Sequence, residues 1–163
     1  MKDAKYWVKN LKMSQHPEGG HFKETYRSKN SFNPEGFLGS RNFATSIYFL
    51  LEKDNVSHFH KIKSDEIWYY HAGDPLSVYV IHPNGNLEEI KIGPNVEKGE
   101  VLQAVVPANT IFGSTCTSDY SLVGCMVAPG FDFNDFKLFT TSELMELYPR
   151  HEVVIEMLSK EVY

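Results

Sequence analysis

The chain has little cysteine, no basic surplus and no long apolar run, and each shortage removes a class of protein. Cys116 and Cys125 are the only cysteines in 163 residues. They are too few, in too long a chain, for a disulfide framework, so a cytoplasmic protein with two reduced thiols is expected. A formal charge of −5, from 16 basic and 21 acidic side chains, leaves nothing to spare for neutralising phosphates and argues against nucleic acid as a partner. The longest strongly apolar run, Ile47 to Leu51, has five residues, whereas a membrane span needs about 20. The amino-terminal MKDAKYWVKN lacks the apolar core of a signal peptide, so neither a leader nor a membrane partner is expected. Neither Gly-x-x-x-x-Gly-Lys-Ser/Thr nor Gly-x-Gly-x-x-Gly occurs, which excludes a P-loop or a dinucleotide crevice. Ser114 and Ser121 lack a Gly-x-Ser-x-Gly elbow, and neither cysteine sits in a pattern that would activate it as a nucleophile.

What is present begins with apolar residues: Leu, Ile, Val and Phe together make about 27% of the chain, enough for an ordered domain. One domain spanning 1–163 fits the length. Short segments of alternating apolar and polar residues, bounded by Gly, Pro, Asn or Asp, predict strands at Phe22–Arg27, Phe43–Leu51, Ser57–His60, Glu66–His71, Ser77–His82, Leu87–Ile92, Val101–Val106, Ile111–Thr115 and Ser121–Val127. Pro83-Asn84-Gly85-Asn86 predicts a hairpin turn, since Asn-Gly tolerates the positive φ of a type I′ turn. Helical spacing is confined to the ends. Tyr6, Trp7 and Leu11 suit a short amphipathic helix, and Leu144, Leu147, Val154 and Leu158 suit one broken at Pro149. The Ser-, Asn-, Gly- and Pro-rich stretch Ser28–Arg41 reads as a loop or lid. The pattern predicts an all-β domain, as a sandwich, jelly roll or small barrel with a core over about 20–128 and a helical tail over about 141–159.

Twenty-two aromatic residues and seven histidines are the other compositional feature. The densest chemical signal is His58-Phe59-His60 followed by Glu66 and Trp68. On a regular strand His58 and His60 face the same way, and Glu66, opening the next strand, can swing beside them. Two imidazoles and a carboxylate suit a divalent metal such as Fe, Mn, Ni or Zn, whereas a surface strand showing both histidines to water is the plainer alternative. By the same alternation Trp68 and Tyr70 point inward with Glu66, and Tyr26 shares a face with Glu24. An aromatic wall with a few polar groups suits a small polar ligand, sugar or nucleotide-like. His16-Pro17-Glu18-Gly19-Gly20 reads as a structural turn whose His16 and Glu18 lie within reach of a pocket rim. Asp132 lies where it could close one end of that pocket.

These residues carry a resemblance. His58-x-His60, Glu66 and Gly73 resemble the first cupin motif, and Gly99-Glu100 through Pro107-Ala108-Asn109 to Phe112 resembles the second. The blocks His16–Gly20, Thr45–Leu51, Ser64–Trp68, Val106–Ala108 and Ala128–Phe133 are similar to those of the DUF985, or Cupin 5, family over residues 11 to about 139. The resemblance implies a double-stranded β-helix, or jelly-roll cupin barrel, and a homodimer. It also implies a ligand cavity in which a metal, where present, is held by histidines and a glutamate. Phe112 stands where the general pattern has a fourth, histidine ligand, which leaves at most His58, His60 and Glu66 for a metal. Metal-free cupins that epimerise nucleotide sugars imply a different use of the same face. There His60 would be a base, Glu66 its orienting partner and Tyr26 or Tyr70 an acid, with His58, Trp68, Phe112 and Glu24 contacting ligand. Such a metal-independent sugar or nucleotide-sugar epimerase or isomerase, a metal-dependent enzyme, and a non-catalytic binding module are the three functional expectations. Phe131, Phe133, Phe136 and Phe139 are expected to fasten the tail over the barrel.

Overall fold

A computed structural model describes residues 2–163. After a helix α1 (Ala4–Asn10), the chain forms strands β1 (Ser14–Gln15), β2 (His21–Arg27), β3 (Ser31–Phe32), β4 (Arg41–Asn42), β5 (Thr45–Glu52), β6 (Val56–Lys61), β7 (Asp65–Gly73), β8 (Leu76–Ile81) and β9 (Leu87–Ile92). Then come β10 (Gln103–Val106), β11 (Ile111–Cys116), β12 (Tyr120–Ala128) and β13 (Lys137–Leu138), and the helices α2 (Thr141–Leu147) and α3 (Glu152–Leu158). The expected all-β barrel with terminal helices is thus what forms. No helix among the described residues is long and apolar enough to cross a membrane.

Two sheets face each other, in the orders β1-β2-β5-β12-β7-β10 and β13-β6-β11-β8-β9. Alternation supplies the core between them. Phe49, Leu51, Trp68, Val123 and Cys125 come from the first sheet and Val78, Val80, Ile92 and Phe112 from the second, all buried. The outer faces need cover, and the helices provide it. Ala4 of α1 packs with Leu50 and Leu122 on the first sheet, while Leu144, Ile155 and Leu158 of α2 and α3 pack with Phe59, Ile81 and Ile111 on the second. Pro149 separates the two carboxyl-terminal helices, as its spacing predicted. The Asn-Gly turn joins β8 to β9 with Ile81 opposite Leu87 and Gly85 at φ +82°. The segment 28–41, expected as a loop, carries the small β3–β4 hairpin. It is tied down where the buried Arg41 meets Asp135 at 2.8 Å through both Nε and an Nη.

Two bulges decide the site. In β6 the register passes from Phe112 opposite His60 to Ser114 opposite Ser57, so His58 and Phe59 together oppose Gly113. One extra residue reverses the alternation. Gly113 leaves room for it, since a Cβ there would lie 2.8 Å from the Ser57 carbonyl oxygen. In β2 the register passes from Glu24 opposite Ile47 to Tyr26 opposite Ser46, which inserts Thr25 and turns Arg27 inward in place of Tyr26.

Candidate functional site

The structure opens a cavity of about 320 Å³ at one end of the barrel. It is lined by His16 and Glu18 from the turn before β2, and by Phe22, Glu24 and Arg27 of β2. His60, Glu66 and Cys125 contribute from β6, β7 and β12, and Phe131, Asp132 and Phe133 from the segment after β12.

Glu18 is its centre. The turn that carries it lies hard against β6. Gly19 has φ +111°, and a Cβ there would fall 1.9 Å from the Val56 carbonyl oxygen, so glycine is required. His58 holds the turn twice, donating from its backbone N–H (2.7 Å) and from Nδ1 (2.8 Å) to the Glu18 carbonyl oxygen. His60 holds the side chain, with Nε2 2.9 Å from a Glu18 carboxylate oxygen, while its Nδ1 lies 2.7 Å from the His58 carbonyl oxygen. The His58 carbonyl fixes a proton on Nδ1, and because Glu18 is held as a carboxylate Nε2 donates as well, which makes the ring an imidazolium. Burial opposes charge on His60, but the adjacent Glu18 carboxylate outweighs it and moves the imidazole upward. Burial likewise opposes ionisation of Glu18, and the charge of His60 together with the His60 hydrogen bond overcomes it and holds the carboxyl low. The pair is therefore ionised and neutral overall.

Glu66 is the opposite case. It is 8% exposed, and the side chain that hydrogen-bonds it is the Cys125 thiol. Burial first, and the Glu18 charge second, push its carboxyl up to about 7, against the opposing pull of His60 and of the Cys125 thiol. His16 accepts from the Glu18 N–H at Nδ1 (3.2 Å), which leaves its proton on Nε2. Burial keeps that imidazole neutral by lowering its affinity for a second proton. At the rim Arg27 binds Glu24 at 2.6 Å, Asn42 Oδ1 at 2.9 Å and the Phe131 carbonyl oxygen at 3.1 Å.

Of the residues expected in the site, His60, Glu66 and Glu24 meet in the cavity. His58 does not: the bulge turns its ring away to pack edge-on against Tyr163, with centroids 5.3 Å apart. Tyr26 does not either, being 55% exposed because of the bulge at Thr25. Trp68 and Tyr70 do point inward, but Trp68 is buried core and the Tyr70 hydroxyl donates to the Gly73 carbonyl oxygen at 2.9 Å, so neither lines the cavity. Phe112 is buried behind the site with its ring 4.2 Å from that of His60. Phe131 and Phe133, expected to fasten the tail, line the cavity instead, whereas Phe139 packs under the helices. The expected set His58, His60 and Glu66 does not fit a metal. His58 lies outside the cavity, and His60 has no lone pair free, both nitrogens facing acceptors. Among the described residues no group of three His, Cys, Asp or Glu is arranged to hold one. Sequence reading placed Glu18 in a structural turn within reach of a pocket rim; it lines the cavity, and what the sequence did not show is its pairing with His60. Its signal was the Gly-Gly pair, which demands a close backbone approach without saying to what.

Two facing sheets closed around a cavity at one end, with helices outside, define a cupin barrel. Oxalate decarboxylase of Bacillus subtilis shares that fold with a TM-score of 0.58 at 12% identity, over 91% of this chain and 37% of that one. The family model for the cupin superfamily (DUF985) matches residues 5–139, and the chain belongs to that family. Its solved relatives include a hypothetical protein from Leishmania major, 42% identical with a TM-score of 0.91 over 98% of this chain and 99% of that one. Another is protein SO0799 from Shewanella oneidensis, 44% identical with a TM-score of 0.92 over 99% and 100% of the two chains. The uncharacterised protein YML079W of Saccharomyces cerevisiae is 33% identical over 143 residues, which is 78% of this chain and 71% of that protein.

Proposed function

We propose that the cavity binds a small polar, sugar-sized ligand and moves a proton on it without a metal, as a sugar isomerase or epimerase does. One observation carries this reading. Two carboxyl groups share one cavity, Glu18 clamped as an anion by His60 and Glu66 buried without a counter-ion of its own. Groups whose surroundings drive their proton affinities apart are how a site keeps an acid and a base at one pH.

The roles follow from what each atom has left to offer. His60 has no free nitrogen, so the base expected there moves to Glu66, which is close to half ionised near neutral pH. Ionised Glu66 takes the proton from a carbon next to the ligand's carbonyl. The electron pair left behind moves onto the carbonyl oxygen, where the Nε2–H of neutral His16 donates to it. Return of the proton from Glu66 to the same face of that carbon completes exchange; return to the adjacent carbon, with the hydroxyl proton of the enediol passing to the former carbonyl oxygen, completes isomerisation. Epimerisation takes the returning proton from water on the opposite face, Glu66 then releasing its own to solvent. The Glu18 carboxylate accepts from a ligand hydroxyl, and its charge keeps Glu66 protonatable. His60 and His58 are positioning residues, on the carboxylate and on the backbone carbonyl of Glu18.

Proton NMR in D₂O with glucose, mannose and glucosamine tests this. Metal-stripped protein should deplete the signal of the hydrogen on the carbon beside the carbonyl, and Glu66→Gln should abolish the depletion. A sugar that saturates the cavity without exchange, or exchange that persists in Glu66→Gln, overturns the reading.

A further inference from the structure

The lining holds four carboxyl side chains, Glu18, Glu24, Glu66 and Asp132, and its two cations are Arg27 and His60. Both cations already have a carboxylate partner. His60 is bound to Glu18, and Arg27 donates to Glu24, to Asn42 Oδ1 and to the Phe131 carbonyl oxygen. Among the described residues no lysine lines the cavity. Glu66 is buried without a counter-ion of its own. Among the described residues Asp132 accepts the Asn134 backbone N–H at 2.8 Å and is attracted to Arg41, which is itself bound through two nitrogens to Asp135. Four of the five Arg27 N–H groups are taken, so a carboxylate or phosphate on a ligand would meet one free guanidinium N–H beside the Glu24 carboxylate and would have to displace Glu24 or Glu18 to gain a full ionic partner. An ammonium group would meet the carboxyls of Glu66 and Asp132 among the aromatic rings of Phe22, Phe131 and Phe133, residues of the kind that attract cations. The volume of about 320 Å³ sits at the small end of ligand cavities.

We infer that the ligand is a compact cation, a protonated amine on a hydroxylated, monosaccharide-sized frame, and that carboxylate- and phosphate-bearing sugars are excluded. This rests on the cavity being the ligand site proposed above and adds to it the charge of the ligand. The amine pairs with Glu66, which Glu18 from the turn before β2, His60 from β6 and Cys125 from β12 surround. Pairing ionises Glu66, so binding releases a proton. The released proton leaves from the Glu66 carboxyl to buffer, and no bond in the ligand changes.

Titration calorimetry of the full chain at pH 7 with glucosamine, glucose and glucuronate, each in two buffers of different ionisation heat, reads both consequences. Glucosamine should bind at least ten times more tightly than glucose, with net proton release, and glucuronate should bind more weakly than glucose. Asp132→Asn, which keeps the oxygen that accepts from Asn134, and Glu66→Gln should each cut the preference for glucosamine several-fold, and Glu66→Gln should also remove the proton release. Equal binding of glucosamine and glucose, tighter binding of glucuronate, or no binding of glucosamine overturns the inference. Preferential binding of glucosamine without solvent exchange overturns the proton-transfer reading alone. Exchange on glucose with no preference for glucosamine overturns the charge assignment alone.

Discussion

Glu66→Gln should stabilise the protein, by an amount that grows with pH. In the folded state the Glu66 carboxyl is raised from its ordinary 4.5 to about 7. Between those values the folded protein holds a proton that the unfolded chain gives up, so wild-type stability falls as pH rises through this window. Below 4.5 both states carry the proton and the penalty vanishes; above about 7 it is complete. At ~1.36 kcal/mol per tenfold in proton affinity, moving a carboxyl from 4.5 to about 7 costs ~3 kcal/mol. That is a large part of the ~5–15 kcal/mol by which domains are stable. Glutamine keeps the shape and a carbonyl oxygen for the Cys125 thiol but cannot ionise. Guanidinium unfolding of both proteins from pH 4 to pH 9 should give profiles that nearly coincide at the acid end and separate by ~3 kcal/mol at the alkaline end, the variant being the more stable. Parallel profiles would refute the burial of an unpaired carboxyl at this position.

Four further outcomes follow from the same geometry. His60→Gln should cost ~3–5 kcal/mol at pH 7, because it strands a buried Glu18 carboxylate; adding Glu18→Gln should restore most of this in denaturation, and additive losses would show the two are not paired. Gly19→Ala should cost at least ~2 kcal/mol, seen as a melting temperature lower by ~4–8 °C, since φ is +111° and the Val56 oxygen is 1.9 Å from the new carbon. Tyr26→Phe should leave stability within ~0.5 kcal/mol and sugar exchange unchanged, its ring being outside the cavity; a changed exchange rate would contradict the bulge at Thr25. Adding Mn, Fe, Ni or Zn to chelator-treated protein should not shift its melting temperature, because His58 and His60 have no shared open position; tight stoichiometric binding lost on His60→Gln would count against the donor assignment.

The fold was legible in the sequence because its signals are local. Period-two alternation marks Val78, Val80, Trp68 and Tyr70 as inward-facing, Asn84-Gly85 marks a hairpin, and Pro149 marks a helix break, each read within a few residues. The family blocks likewise specify a barrel. Glu66 and His60 were placed inside by the same rule, and both line the cavity. That rule fails where a strand carries one residue too many. Thr25 and the His58-Phe59 pair create bulges that exist only because β5 and β11 lie opposite them. Each reverses every side chain beyond it, removing Tyr26 and His58 from the site and bringing in Arg27. Glu18 depends still more on tertiary structure, since its charge state is set by an imidazole on a strand distant in the chain. The sequence by itself determined a barrel with histidines and carboxylates near one end. Only the packing of the Gly19-Gly20 turn against β6 decided that one carboxylate is clamped by His60 while the other is buried alone. Proton affinity is fixed by burial and by charges a few ångströms away, and neither is written in the order of residues.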